Sequence, residues 1–379
     1  MIPWMGVLIG LYASSHIIKS LISIDIHYAV MAVVVATSMV KFILELNVIN
    51  TRVQKDSVFL LVAYLGLIFY SILTFLISPD ISSASSFIEL ILITLFFYIG
   101  KSFNHNDCKT FFNLLVLLSS IQAVVLIVDR GMILNNLENY LLNTLILGVV
   151  ATISYIKIFE RLGMIKKSMW LGVYMIHILA VLNMQSRGTA IFILLFTILY
   201  PFFTMSNKKL FFYIIIVALV GMVYWGEIIS FYQDSILFRR VDYLVNNFEN
   251  EQRFELYSIY FSGMEDMWLT GFGLGQSSAG IFGEFTNNYP HNFILEFASE
   301  FGVIGLLFII VFLFTAYLKT REYSNKNEIF YKFSLVFCLY ITFLFLKSFT
   351  IYDSYLLFFS FGLLWSFENK NNSQYWITR

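Results

Sequence analysis

One stretch of this sequence, Glu251 to Leu307, brings together the residue types that chemistry at a surface would need. Arg253 opens it, a glycine-rich run occupies Gly271 to Gly275, and His291 stands just before an apolar run. The pKa of an imidazole is near neutrality, so His291 is well suited to take a proton from a hydroxyl group. A guanidinium stays charged and donates paired hydrogen bonds, which suits Arg253 to a diphosphate.

Three further arginines belong to the same candidate set. Arg187 lies in a Gln-Ser-Arg-Gly turn between two apolar runs, and Arg239 and Arg240 form a pair in the polar stretch before Arg253. Each has a second interpretation, because arginines at a membrane boundary also extend toward lipid headgroups and isolated pairs are often solvated. The residues alone leave both interpretations open.

The residues after His291 could support it. Asn292 follows directly, and Glu296 and Glu300 lie one and two turns further along a predicted helix, where either could orient the imidazole or pair with an arginine. The sequence contains no HExxH or CxxC spacing, so we expect no metal site and no cofactor. The GFGLG run lacks the preceding strand of a phosphate-binding loop and predicts structural turns.

The composition of this chain indicates that it is surrounded by lipid. Hydrophobic residues make up 59% and charged residues 13% of the sequence, about half of the roughly 25% charged residues of a soluble domain. So much apolar surface could not be hidden from water, which predicts a membrane protein. The net charge of zero argues against a nucleic-acid partner.

The apolar runs predict an all-α, polytopic membrane protein with about twelve transmembrane helices, each needing roughly 20 residues. The predicted spans are Pro3–Ser23, Tyr28–Leu46, Ser57–Ile77, Ser85–Gly100, Thr110–Val128, Tyr140–Phe159, Ser168–Met184, Gly188–Met205, Leu210–Trp225, Phe293–Tyr317, Ile329–Leu346 and Ile351–Phe367. We therefore treat residues 1–379 as a single integral membrane domain.

The positive charges predict its orientation. Lys and Arg concentrate in alternate connections, for example 157–167 and 319–332, which predicts cytoplasmic termini and an external loop, residues 227–292, between the ninth and tenth helices. In this topology the bilayer midplane is nearly free of charge, which favours chemistry at the outer surface over an ion-coupled transport path. Within the loop, Arg253 to Met267 carries an aromatic stripe at helical spacing, typical of a helix lying in the interface.

The order of these motifs resembles the bacterial O-antigen polymerase (Wzy-type) and O-antigen ligase superfamily of membrane glycosyltransferases. The match covers roughly the second half of the chain, and Leu269 with Thr270 stands where a proline often precedes the glycines. The corresponding residues are Ser186, Arg187 and Gly188 in a turn between helices, Arg239 or Arg240 and Arg253 in the loop, Trp268 to Gly275, and His291, Asn292, Glu300, Gly302 and Gly305 at the following helix.

The resemblance implies a GT-C-like, inverting and metal-independent glycosyltransferase of the bacterial inner membrane. Its substrate would be an oligosaccharide on undecaprenyl diphosphate, among membrane lipids, with a chain-length regulator as a further partner. A polymerase would transfer the glycan to another lipid-linked repeat unit of O-antigen, capsule or exopolysaccharide, and a ligase would transfer it to lipid A core. A lipid-linked oligosaccharide flippase is the alternative from another class. We expect His291, Arg187 and Arg253 to be catalytic, with Arg239 and Arg240 assisting at the diphosphate.

Overall fold

The structure, a computed structural model, describes residues 3–22, 26–46, 65–73, 76, 81–128, 140–184, 186–223, 226, 230, 236–246, 252–265, 267–283, 289–323 and 328–366. These residues form helices and connecting turns, and no strand occurs among them. The first half contributes α1 (Trp4–Ala13), α2 (Ser15–Ile22), α3 (His27–Leu46), α4 (Ile81–Lys101), α5 (His105–Val128), α6 (Tyr140–Phe159) and α7 (Met164–Leu182). The second half contributes α8 (Arg187–Thr204), α9 (Asn207–Val223), α10 (Ile236–Asn246), α11 (Gln252–Gly263), α12 (Ser277–Phe282), α13 (Phe293–Tyr323), α14 (Ile329–Phe345), a 3-10 turn (Ile351–Asp353) and α15 (Tyr355–Ser366).

Several of these helices are suited to a lipid bilayer. Within the described ranges, four segments are long and apolar enough to cross a membrane: His105–Val128, Met164–Leu182, Arg187–Thr204 and Phe293–Leu318. Shorter apolar helices include Ile329–Phe345 and Tyr355–Ser366. This supports an all-α membrane protein. The count of about twelve spans and the GT-C-like architecture stay predictions, and most of the predicted span Ser57–Ile77 lies outside the described residues.

Three of the predicted helices are interrupted or shorter in the structure. The first predicted span is two helices, α1 and α2, with a turn between them at Ser14. The predicted interfacial helix Arg253–Met267 ends earlier, at Gly263, so its last aromatic, Trp268, lies in a following turn. Helix α13 is interrupted at Gly302, where φ is 58° and ψ is −144°. Hydropathy does not detect the break at Gly302 because apolar composition continues through it.

The chain divides into two compact units. The first contains Met1–Leu8, Met31–Lys109 and Asn250–Arg379. Its centre is the contact between α4 and α15, which is close because Gly100 faces the Phe359 carbonyl and Gly362 faces the Phe97 carbonyl. A Cβ on either glycine would collide with the opposing backbone, so small residues set this helix spacing.

The second unit contains Ile9–Val30 and Thr110–Glu249. Helices α6 and α7 pack together and α8 contacts both. Its core is largely apolar but contains buried polar groups. Among them, Nδ1 of His177 lies 2.7 Å from the Val173 carbonyl oxygen and Nε2 lies 2.9 Å from Oγ of Ser119. Both nitrogens are therefore engaged, and this buried histidine is structural.

Candidate active site

The start of α13 determines the position of His291. Asn292 caps the helix, since its Oδ1 accepts hydrogen bonds from the backbone N–H groups of Ile294 and Leu295 at 3.0 and 3.2 Å. His291 precedes the cap with φ at 51°, and among the described residues no other non-glycine residue has a positive φ. A left-handed conformation costs an ordinary side chain about 1–2 kcal/mol. The cap and the contacts of the imidazole hold His291 in this conformation.

The imidazole of His291 is half-buried against specific neighbours. The ring of Tyr289 packs on it with centroids 4.0 Å apart, and the Ser348 backbone accepts a hydrogen bond from it. Its Nδ1 is buried and has no hydrogen-bond partner in the described part of the chain. Burial, and then the charge of Arg253, lower the pKa of His291 below the ordinary value, while the Ser348 bond opposes them. The ring is therefore neutral near pH 7, the state that a general base requires.

Arg253 lies in the first turn of α11 and is half-buried. Its positive charge acts on His291, so these two predicted site residues lie within electrostatic range of each other in the first unit. The first turn of a helix also exposes backbone N–H groups and the positive end of the helix dipole. Arg253 therefore adds a guanidinium to a helix end that already favours an anion.

Glu296 and Glu300 are both buried on α13 and close enough to interact electrostatically. Oε2 of Glu296 accepts a hydrogen bond from the backbone N–H of Ile351 at 2.7 Å. This carboxylate therefore anchors the segment after α14, the same segment whose Ser348 carbonyl receives the His291 bond. The sequence suggested that Glu296 could orient the imidazole or pair with an arginine, whereas in the structure its Oε2 bonds to the backbone N–H of Ile351.

A glycine turn packs against the interruption of α13. Val303 N–H donates to the Trp268 carbonyl at 2.9 Å instead of completing a helical bond to Ser299, and the Ser299 carbonyl accepts from Phe272 N–H at 2.8 Å. Gly273 N–H donates to the Glu300 carbonyl at 2.9 Å. The turn thus satisfies backbone groups that the kink releases. A Cβ on Gly302 would collide with the Leu269 carbonyl, and one on Gly271 with the Glu300 backbone.

This arrangement agrees with the structural interpretation of the GFGLG run, in which Gly271, Gly273 and Gly275 all have positive φ. Sequence reasoning did not foresee that the turn would insert into the helix after His291. The signal was present as Gly302, a glycine inside an apolar run.

Tyr260 is a buried residue near Glu296 and Glu300 that the sequence did not single out. Its side chain is fully buried in the first unit, is hydrogen-bonded to Ser277, and lies within electrostatic range of Glu296 and Glu300. Burial raises the pKa of Tyr260 well above its ordinary value, so the phenol stays protonated. Its neighbours on α11, Phe254 and Phe261, are exposed. The aromatic stripe in the sequence contains those two exposed residues and does not contain the buried tyrosine.

The remaining arginines belong to the second unit. Ser186 caps α8 by accepting a bond from Thr189 N–H at 3.5 Å, and Arg187 is the first residue of that helix, half-buried. Arg239 is exposed on α10, a helix that contacts α8. Arg240 follows on α10, and its side chain lies outside the described residues. Arg187 and Arg239 are thus carried by neighbouring helices.

In the described ranges, no group of three or more His, Cys, Asp or Glu side chains is placed to hold a metal ion.

Residues 170–310 of the chain match the family model Wzy_C, described as O-antigen ligase. The matched range includes Arg187, Arg239, Arg240, Arg253 and His291. No curated protein matches the chain. The family match confirms the resemblance that the motifs of the second half indicated.

Proposed function

We propose that this chain, a member of the O-antigen polymerase and ligase superfamily, is a repeat-unit polymerase. It transfers a growing glycan from undecaprenyl diphosphate to the terminal sugar of another lipid-linked repeat unit, at the outer face of the cytoplasmic membrane. The family match supports a membrane glycosyltransferase of this superfamily. Beyond this match, we propose that the enzyme is a polymerase, that the lipid carrier is undecaprenyl diphosphate and that the reaction takes place at the outer face.

One observation carries the proposal: a neutral imidazole with a buried, unpartnered nitrogen lies within reach of an arginine's charge. In the proposed reaction the acceptor hydroxyl attacks the anomeric carbon and gives its proton to His291. The bond between that carbon and the diphosphate oxygen breaks, and undecaprenyl diphosphate leaves with the electron pair. Attack opposite the leaving group inverts the anomeric centre. The imidazole supplies the base, and the arginine stabilises the departing charge.

The arginines share the diphosphate in this proposal. Arg253 and Arg187 each lie in the first turn of a helix, where backbone N–H groups add to the positive potential. Arg239 and Arg240 on α10 supply further positive charge. Guanidinium groups that bind the diphosphate would stabilise the charge that develops on the leaving group without needing a metal ion. Arg187→Ala leaving chain elongation unchanged would remove Arg187 from this role.

A ligase is the second candidate, because the matching family model is described as O-antigen ligase. It would use the same leaving group and base and differ in the acceptor, lipid A core. A flippase has less support, since it would require polar groups through the midplane, which the sequence does not provide. Lipid scrambling in vesicles without glycosidic bond formation would favour the flippase.

Deletion of the gene in its source organism separates the two transferases. Loss of a polymerase leaves single repeat units on lipid A core, whereas loss of a ligase leaves lipid-linked polymer that is not attached to the core. We expect single repeats, and expression of the wild-type chain should restore the ladder of long chains. Accumulated lipid-linked polymer in the deletion strain would overturn the polymerase assignment.

A further inference from the structure

Helix α11 runs beside α13 and leads toward its middle. The first turn of α11 holds Arg253, whose charge acts on His291 just before α13 begins. Tyr260, further along α11, lies within electrostatic range of Glu296 and Glu300, which are further along α13. The two helices therefore advance together, away from the start of α13.

The glycine turn after α11 contacts α13 deeper still. The Trp268 carbonyl accepts a hydrogen bond from Val303 N–H at 2.9 Å. Phe272 N–H donates to the Ser299 carbonyl at 2.8 Å. We call residues 267–274 the tip, because the chain reverses its direction there.

Helix α12 returns beside α11. The rings of Phe282 and Tyr260 have centroids 6.0 Å apart. A Cβ on Gly263 would lie 3.1 Å from the Ile281 side chain, so the two helices pack closely at this point. Helix α11, the tip and α12 thus form a helical hairpin that lies along α13.

The contacts of the tip place it below the boundary of the hydrocarbon. The membrane-spanning segment of α13, Phe293–Leu318, has 26 residues, about 39 Å of helix, whereas the hydrocarbon core is about 30 Å thick. Even if the end of this segment lies at the far boundary, the near boundary falls about 9 Å from its start, close to Ser299. Val303 lies about one turn deeper, and its partner Trp268 lies at the same depth.

The side chains of the tip are suited to hydrocarbon. Met267, Trp268 and Leu269 are 43%, 64% and 54% exposed. The tip contains no Asp, Glu, Lys or Arg. On α13, Ile304 and Leu307 are exposed as well. The tip and the spanning helix beside it therefore both present apolar side chains outward.

The backbone of the tip also meets the conditions of this depth. Non-helical backbone below the membrane surface needs partners within the protein, because hydrocarbon offers none. Besides the bonds to α13, Gly271 N–H donates to the Met267 carbonyl at 2.7 Å. The Thr270 carbonyl accepts a hydrogen bond from the Tyr70 hydroxyl. The turn thus satisfies these groups without water.

We propose that the tip is inserted into the hydrocarbon of the leaflet that α13 enters at Phe293, with Met267, Trp268 and Leu269 against lipid acyl chains. The hairpin is then re-entrant, and α11 descends into the leaflet instead of lying flat in the interface as the aromatic stripe predicts. Lipid is the occupant because the surface adjoins a helix that is suited to span a bilayer. The insertion is shallow, since Glu265, exposed just before the tip, keeps its charge at the headgroups.

Spin-label accessibility in nanodiscs tests this insertion without requiring activity, so it is independent of the proposed reaction. The two buried cysteines are first replaced, by Cys108→Ala and Cys338→Ala. A nitroxide is then attached in Leu269→Cys, and its collision rates with oxygen, which enters hydrocarbon, and with a nickel chelate, which stays in water, are compared. We expect oxygen to dominate, as it should in Leu307→Cys, the lipid-facing control on α13.

Two further labels calibrate the measurement. Lys166→Cys, exposed in the first turn of α7, should favour the chelate, and Glu265→Cys should give an intermediate ratio. Access of the chelate to the Leu269 label equal to that at Lys166 would overturn the insertion. Exclusion of both reagents from the Leu269 label would also overturn it, because protein, such as a second copy of the chain, would then cover the surface.

Fluorescence quenching of Trp268 gives a second measurement that does not depend on the folding of Leu269→Cys. The chain has six tryptophans, and the difference between wild type and Trp268→Phe isolates the signal of Trp268. We expect lipids brominated near the headgroup end of the acyl chain to quench this signal more than lipids brominated near the chain end. Quenching by neither lipid would overturn the insertion, and stronger quenching by the deeper bromines would contradict its shallow depth.

Discussion

Two helix starts carry the proposed chemistry, and they place their functional residue on opposite sides of the cap. At α13 the cap is Asn292 and His291 precedes it, outside the helix, with a left-handed backbone. At α8 the cap is Ser186 and Arg187 follows it as the first helical residue. Both starts look alike in sequence, as a polar pair before an apolar run.

The difference in order determines what each residue can do. A residue before the cap is free of helical geometry, so the His291 ring can bond to a distant carbonyl and leave one nitrogen unbonded. A residue after the cap shares the positive end of the helix dipole, which disfavours a lone guanidinium and favours one that meets an anion. The first arrangement suits proton transfer and the second suits diphosphate binding.

The largest effect should come from the residue before the cap. His291→Ala removes the base, and we expect the rate of elongation to fall by about 10²- to 10⁴-fold. His291→Gln should be similarly inactive although it retains a hydrogen-bond donor. Elongation by purified protein in nanodiscs measures both rates, and intact thermal unfolding of the variants serves as the control. Near-wild-type elongation by His291→Ala would exclude it as the base.

Removing arginines should have the next largest effect. Arg187→Ala and Arg253→Ala should each reduce the rate by about 10²- to 10³-fold, as loss of a donor to a developing anion does. Lysine at either position should recover part of the rate, because it keeps the charge and loses the planar fork. Arg161→Ala is the matched control, since Arg161 is exposed in the predicted cytoplasmic connection. Equal losses at Arg161 would indicate a general effect of charge.

The two helices also differ in regularity, since α13 is kinked at Gly302 and no such kink is described in α8. Gly302→Ala should destabilise the protein by more than about 2 kcal/mol, from a left-handed alanine and a collision with the Leu269 carbonyl. Gly172→Ala is the control, since a Cβ there meets open space. It should be neutral or stabilise by up to about 1 kcal/mol. Denaturation in detergent measures both changes in stability, and equal effects would contradict the close packing of the glycine turn against the interruption of α13.

The two caps allow a smaller and more selective comparison. Asn292→Ala and Ser186→Ala should each cost about 1 kcal/mol of stability. Asn292→Ala should also release the left-handed conformation of His291 and lower the rate further than its stability loss explains, whereas Asn292→Ser should recover much of both. Activity measured alongside unfolding separates the two effects. Equal activity losses in the two alanine variants would mean that the cap does not orient His291.

The smallest expected effect is a shift in the pH profile. The base must be neutral, so activity falls as pH drops through the pKa of His291, which burial and then Arg253 lower from its ordinary value. The acidic limb of kcat/KM should therefore lie below about 6.5, the usual histidine value. Titration of the His291 NMR signal in Arg253→Gln should give a higher pKa than in wild type. A limb above 6.5 would contradict this environment.

The sequence predicted the helical class and the start of a helix at Phe293, because apolar runs and helix-start residues are local signals. The assignment of the site residues stays a prediction. The sequence could not predict the kink at Gly302 or the insertion of the glycine turn, since both depend on contacts between segments about thirty residues apart. The role of Glu296 was missed for the same reason. Its partner, Ile351, is brought to it by tertiary folding alone.

The most direct measurement of the central claim is glycan transfer by the purified protein. Wild type is supplied with undecaprenyl-diphosphate-linked repeat units and lipid A core together, with a chelator present, and gels and mass spectrometry follow the products. The account predicts a ladder of lipid-linked chains, one undecaprenyl diphosphate released for each bond formed, and no transfer to the core. Transfer to lipid A core alone would assign a ligase, and no glycosidic bond to either acceptor with the cognate repeat would contradict the account.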